Sequence, residues 1–180
     1  MMNIVALVQL KSFARQDGVF LALLWIASFL LVVLVPTSAW GNLLALSTPF
    51  FVGWLLIRFR NNALDGSISF LRGYAYSCYT FFYASLIFAV AQYVFFRYFD
   101  NGNFLNILIE SVNVWETVYK EGQMHSGPSP AEMKEGLAMF EQLTPIQLTF
   151  IFMMQNLFFG ALLSLPIAFF CKKKPVEIKF

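Results

Sequence analysis

The sequence predicts an all-α integral membrane protein, with four transmembrane helices and a helical extracytoplasmic segment between the third and fourth. Three observations predict it. The 180 residues are 59% hydrophobic and only 12% charged, whereas a soluble domain carries about 25% charged residues. Four long stretches hold no charge at all, each near the length of about 20 apolar residues that a bilayer span needs. The basic residues gather in alternate connections between those stretches, as the positive-inside rule requires of a threaded chain. One membrane domain covers residues 1–180, and 22 phenylalanines add to its apolar bulk.

Residues 18–35 form the first span. Residues 1–17 precede it as a cytoplasmic or interfacial segment. Ile4, Leu7, Val8, Leu10 and Phe13 alternate there with Gln9, Lys11, Ser12 and Arg15, as in an amphipathic helix lying on the membrane. A cleaved signal peptide is a weaker reading, because the apolar run exceeds the usual 7 to 15 residues. The turn "PTSAWGN" folds the first span onto the second, residues 42–57, as a helical hairpin. That second span is short and contains Pro49, so it is kinked, tilted or partly re-entrant. Residues 73–96 make the third span and residues 146–171 the fourth. Residues 172–180 are a tail.

Charge sets the threading. The N-terminal segment, the second connection and the tail share one side if there are four spans. Together they hold nine basic residues (Lys11, Arg15, Arg58, Arg60, Arg72, Lys172, Lys173, Lys174, Lys179) and three acids. Residues 97–145 hold three basic residues and seven acids. Both termini are therefore expected in the cytoplasm of a bacterial inner membrane, and residues 97–145 outside.

The outer segment reads as two helices and a turn. Phe104, Leu108, Val112, Trp115 and Tyr119 recur at helical spacing, and "EGQMHSGPSP" ends that helix. "SPAE" at 129–132 is a capping box with proline at the first helical position, and "TPIQ" at 144–147 repeats it to start the fourth span. A membrane-lying cap and a partner-docking surface both fit these helices.

Within the span limits just given there is no Asp, Glu, Lys, Arg or His. Ionisable residues in lipid mark proton and ion paths, so their lack argues against an intramembrane protease or proton-driven pump. No catalytic, metal or cofactor site is expected. The single histidine, His125, falls in the outer turn, and Cys78 and Cys171 read as two lone thiols. The spans carry packing signals instead. Asn156, Gly160, Ser164 and Ala168 step by four along the fourth span, and Gly73, Ser77, Thr80, Ala84 and Ala91 line the third. Small residues let helices approach closely, and the amides Gln92, Gln155 and Asn156 are expected to hydrogen-bond between helices or to line a polar path.

Arg58, Arg60, Arg72, Lys172, Lys173 and Lys174 form a basic collar at the cytoplasmic side. It serves either as topology anchors meeting anionic lipid headgroups or as a site for a lipid-linked phosphate. Arg58, Arg60, Gly66, Ile68, Ser69, Phe70 and Gly73 also make a motif: a basic start, a glycine, "hydrophobic-Ser-Phe" and a second glycine. With this layout the chain resembles the bacterial membrane family catalogued as domain of unknown function 4199, over nearly its whole length, although its outer segment is less acidic than the family pattern. The resemblance implies a helical inner-membrane protein without an assigned reaction. It also implies an envelope role beside a membrane protein partner such as a glycosyltransferase. In the motif, Gly66 and "SISF" suggest a shaped re-entry with Ser69 capping the third span. The expected function is a non-enzymatic accessory or scaffold subunit of an envelope assembly that binds membrane lipids, anionic on the cytoplasmic side, and no nucleic acid. A small oligomeric permease or lipid flippase is the alternative, and a membrane enzyme is a third.

Overall fold

The computed structural model describes residues 4–122 and 127–173, and its elements are helices: α1 (Ile4–Leu34), α2 (Trp40–Leu46), α3 (Thr48–Ala63), α4 (Phe70–Tyr98), α5 (Asn103–Lys120), α6 (Pro130–Glu141) and α7 (Pro145–Cys171). His125 and Lys174 lie outside the described residues. Three helices, α1, α4 and α7, are long and apolar enough to cross a membrane. The pair α2 and α3 adds a fourth if it is one broken span, since it bends by 45°. Large apolar side chains such as Phe50, Trp54, Leu71, Val90, Phe158 and Phe170 are exposed, which suits lipid as the solvent rather than water.

The bend in the second span follows from Pro49. Proline lacks an N–H and clashes with the preceding turn, so it fits a helix's first turn best. The chain accordingly stops α2 at Leu46 and restarts at Thr48 with Pro49 in the first turn. The "PTSAWGN" hairpin closes tightly through small residues. Gly41 lies against the backbone of Val32 and Ser28, and the Ser28 hydroxyl donates to the Gly41 carbonyl at 2.7 Å.

Two boundaries differ from the sequence reading. Helix α1 runs unbroken from Ile4, so residues 4–17 are not a separate interfacial helix. Leu10 and Ala14 are fully buried in the core cluster with Phe59 and Tyr76. Helix α3 continues six residues beyond Ile57, so Arg58 and Arg60 stand on a helix, and Arg72 stands in the first turn of α4. The connection shrinks to residues 64–69.

Helix α4 is the hub, packed on α1 along one side and α7 along the other. Gly160 brings α7 against the Phe81 side chain, Ala168 touches Gly73, and Ser164 is buried between the helices. A second cluster at the far end joins Val33, Phe95, Phe96 and Leu148, and Phe104 of α5 closes it by edge contacts with Phe96 and Phe152.

The capping boxes at Ser129–Glu132 and Thr144–Gln147 form as the sequence predicts, opening α6 and α7. Helices α5 and α6 are clasped by Glu116, which meets Lys120 at 2.8 Å and Lys134 of α6 at 2.7 Å. These ammonium groups, Lys120 first, hold the Glu116 carboxyl down to about 2, against an ordinary 4.5. A carboxylate held below its unfolded value stabilises the clasp above about pH 4.5, and that stability is lost as pH falls toward 2. Beside the clasp, the Trp115 indole donates to the Pro128 carbonyl at 3.1 Å. The part of the emission removed by Trp115→Phe should therefore shift red between pH 4.5 and 2, and Glu116→Gln should abolish that step. A step that persists in the variant would assign the transition to another group.

Candidate functional site

The reversal between α3 and α4 is built by "LDGSIS". Asp65 and Gly66 both take positive φ, 49° and 76°, a region open to glycine and tolerated by Asp and Asn. The Arg60 carbonyl accepts from the N–H groups of Leu64 and Gly66 and ends α3. Ile68 then runs extended and exchanges two backbone hydrogen bonds with Lys173, at 2.9 and 3.0 Å. Ser69 caps α4, its hydroxyl accepting from the Arg72 N–H at 3.4 Å. The Ile68–Lys173 pairing fixes the end of α7 beside the start of α4.

This brings Arg72, Lys172 and Lys173 around one cavity of about 590 Å3, together with Ser67, Ile68, Ser69 and Phe70. The first-turn N–H groups of α4 and its dipole favour an anion here. Among the described residues these three cations have no acidic partner at ion-pair distance. The Arg72 Nε–H is buried without a hydrogen-bond acceptor, whereas one terminal nitrogen reaches the Gln9 Oε1 at 3.4 Å. A buried donor left unmet costs about 1–3 kcal/mol, so the cavity holds unspent donor capacity. A second cavity of about 390 Å3 adjoins it through Ser67 and Arg72, lined also by Gln9, Ala63, Leu64 and Asp65.

Arg58 and Arg60 meet partners within the protein. Arg60 donates from Nη1 to the Cys171 carbonyl at 2.9 Å, closing the end of α7. Lys172 leans over the Phe169 ring at 4.0 Å while still lining the cavity. Arg58 pairs with Asp17, and the Tyr76 hydroxyl donates to the other Asp17 oxygen. Its guanidinium lies over the rings of Trp54 and Phe20, with 38% of the side chain exposed. Asp17 itself is 1% exposed. The Tyr76 ring stacks on Phe59 at 4.6 Å.

The sequence reading misses Asp17. Spans drawn at 18–35 and 42–57 each stop one residue short of the Asp17–Arg58 pair, and so read as free of charge. The signal lies in register: Asp17 falls on the buried stripe Leu10, Ala14, Leu21 at helical spacing.

The packing candidates divide. Gly160, Ser164 and Ala168 sit in the α4–α7 contact. Asn156 instead borders a cavity of about 480 Å3 lined by Trp25, Phe29, Phe81, Phe88 and Phe159. Gln155 is exposed rather than buried. Gln92 is 3% exposed, but its Oε1 has no partner, as is true of the Ser77, Ser85 and Thr149 hydroxyls.

No curated protein and no solved structure matches the chain significantly. The family described as protein of unknown function (DUF4199) matches residues 16–173, a stretch that opens one residue before Asp17, contains the 64–69 reversal and closes on Lys173. The chain belongs to the DUF4199 family.

Proposed function

We propose that the protein is a non-enzymatic accessory subunit of a bacterial envelope assembly, which holds a phosphate-bearing lipid at the cytoplasmic end of its bundle. The site is the cleft of Ser67, Ser69, Arg72, Lys172 and Lys173. One observation carries the reading: three cations without an acidic partner among the described residues, and a buried, unmet Arg72 donor, surround a cavity at the N-terminus of a long helix. In the proposed threading α2 and α3 count as one bent span, both termini are cytoplasmic, and α5 and α6 lie outside. Clustering of the collar at one end and of six glutamates in residues 103–141 supports it. Reporter fusions at both termini and within residues 123–126 test the threading.

The collar narrows under this reading. Arg58 and Arg60 act on stability, while Arg72, Lys172 and Lys173 act on the lipid. A permease or flippase is less favoured, because the cavity beside Asn156 is walled mainly by apolar and aromatic side chains, with Ser28 and Thr48 as its few other polar residues.

Native mass spectrometry of the protein released from nanodiscs tests the site. Arg72→Gln should leave thermal stability close to the parent and reduce lipid retention about tenfold, as expected for a lost charged hydrogen bond. Lys172→Gln with Lys173→Gln should act in the same direction. A folded Arg72→Gln protein that keeps its lipid at the parent level removes the reading.

A further inference from the structure

The two cavities that meet at Arg72 differ in sign. On the α4 side stand Lys172, Lys173 and the positive end of the α4 dipole. On the other side stand the Asp65 carboxylate, the Gln9 amide and the C-terminal, negative end of the α3 dipole, whose Ala63 carbonyl accepts from the Gln9 amide at 3.4 Å. Among the described residues no hydrogen bond or ion pair reaches the Asp65 carboxylate. Asp65 is exposed at the cavity wall, held by its positive φ in the tightest part of the reversal. Arg72 and Ser67 border both cavities. The cleft is therefore dipolar.

The geometry points to a dipolar headgroup, a phosphate diester carrying a primary amine two carbons away, as in a phosphatidylethanolamine lipid. This rests on the phosphate-lipid reading above and deepens it. The phosphate sits with Arg72, Lys172, Lys173 and the α4 N–H groups. The ammonium sits with the Asp65 carboxylate at the negative end of the α3 dipole. A primary ammonium brings three N–H donors to that carboxylate. A trimethylammonium brings none, and a glycerol headgroup brings no charge to meet Asp65. The site therefore selects the amine lipid over both. The apolar walls beside it, Ile68 and Phe70 on one side and Val5 and Ala6 on the other, leave the acyl chains free to remain in the bilayer.

The test uses the full chain in nanodiscs made of equal parts phosphatidylethanolamine, phosphatidylcholine and phosphatidylglycerol with identical acyl chains. Native mass spectrometry counts the lipid that remains. The ethanolamine lipid should be retained about tenfold over each of the others, the worth of one charge-assisted hydrogen bond. Asp65→Asn should erase that preference without loss of fold, because asparagine accepts positive φ, and should leave total retention dependent on Arg72. Equal retention of the three lipids by the parent protein, or a preference unchanged by Asp65→Asn, overturns the inference while the phosphate site stands, provided Arg72→Gln still releases lipid. Retention unaffected by Arg72→Gln sinks both. Soluble phosphoethanolamine in hundredfold excess should not displace the lipid; displacement would overturn the membrane as the source of the headgroup.

Discussion

Asp17→Ala should destabilise the folded bundle by about 3 kcal/mol, the low end of the range for breaking a buried ion pair. Asp17 is 1% exposed and serves two donors from two other helices, Arg58 of α3 and Tyr76 of α4. Removing it leaves a guanidinium between Phe20 and Trp54 with no counter-charge, and a buried phenol that keeps only the Leu55 carbonyl at 3.4 Å. The low end applies because Arg58 keeps 38% of its side chain exposed and can turn toward solvent or headgroups. Asp17→Asn should fall between the parent and Asp17→Ala, since an amide oxygen still accepts from Tyr76. The pair Asp17→Leu with Arg58→Met should recover most of the loss, because a well-packed apolar pair replaces a buried ion pair at little cost. Unfolding in mixed micelles across the double-mutant cycle reads the coupling directly. A coupling energy near zero would show that the cluster does not hold α1, α3 and α4 together.

That cluster shows where sequence reasoning succeeds and where it stops. Apolar runs, prolines and capping boxes act within a few residues of themselves, so the starts of α6 and α7, the Ser69 cap and the break near Pro49 are legible from the chain alone. Span limits drawn where charge begins are less reliable, because a bundle can bury a charge if another helix brings its partner. Asp17 and Arg58 are 41 residues apart, and nothing local announces that they meet. The same holds for Arg60, which reads as a free cation until α7 places the Cys171 carbonyl beside it. The phosphate cleft is half legible. The motif around Gly66 and Ser69 marks a shaped turn, and Lys172 and Lys173 mark a basic end. Their meeting depends on the Ile68–Lys173 pairing, a contact across 105 residues that no periodicity encodes.

The close approach of α1 to α4 beside that cluster makes the second large effect. A Cβ added at Gly18 would lie 2.7 Å from the Tyr83 Cβ, 3.1 Å from the Thr80 carbonyl oxygen and 3.2 Å from the Ala84 nitrogen. Two of these are backbone atoms of α4, which no rotamer change can move, so the helices must part. Overpacking of this kind costs about 1–3 kcal/mol. The helix propensity gained by replacing glycine with alanine offsets at most about 1 kcal/mol of it. Gly18→Ala should therefore be destabilising, and Gly18→Leu should prevent recovery of folded protein. Gly136 in α6 is the matched control, because nothing lies within 4 Å of its added Cβ. Gly136→Ala should be neutral or stabilising by up to about 1 kcal/mol. Parting α1 from α4 also draws Asp17, the residue before Gly18, away from Tyr76 on α4. Gly18→Ala and Asp17→Asn should consequently be less than additive, since each weakens the same α1–α4 contact. Full additivity would separate the helix approach from the ion-pair cluster, and a Gly18→Ala protein as stable as its parent would mean that the two helices stand further apart than 2.7 Å contacts allow.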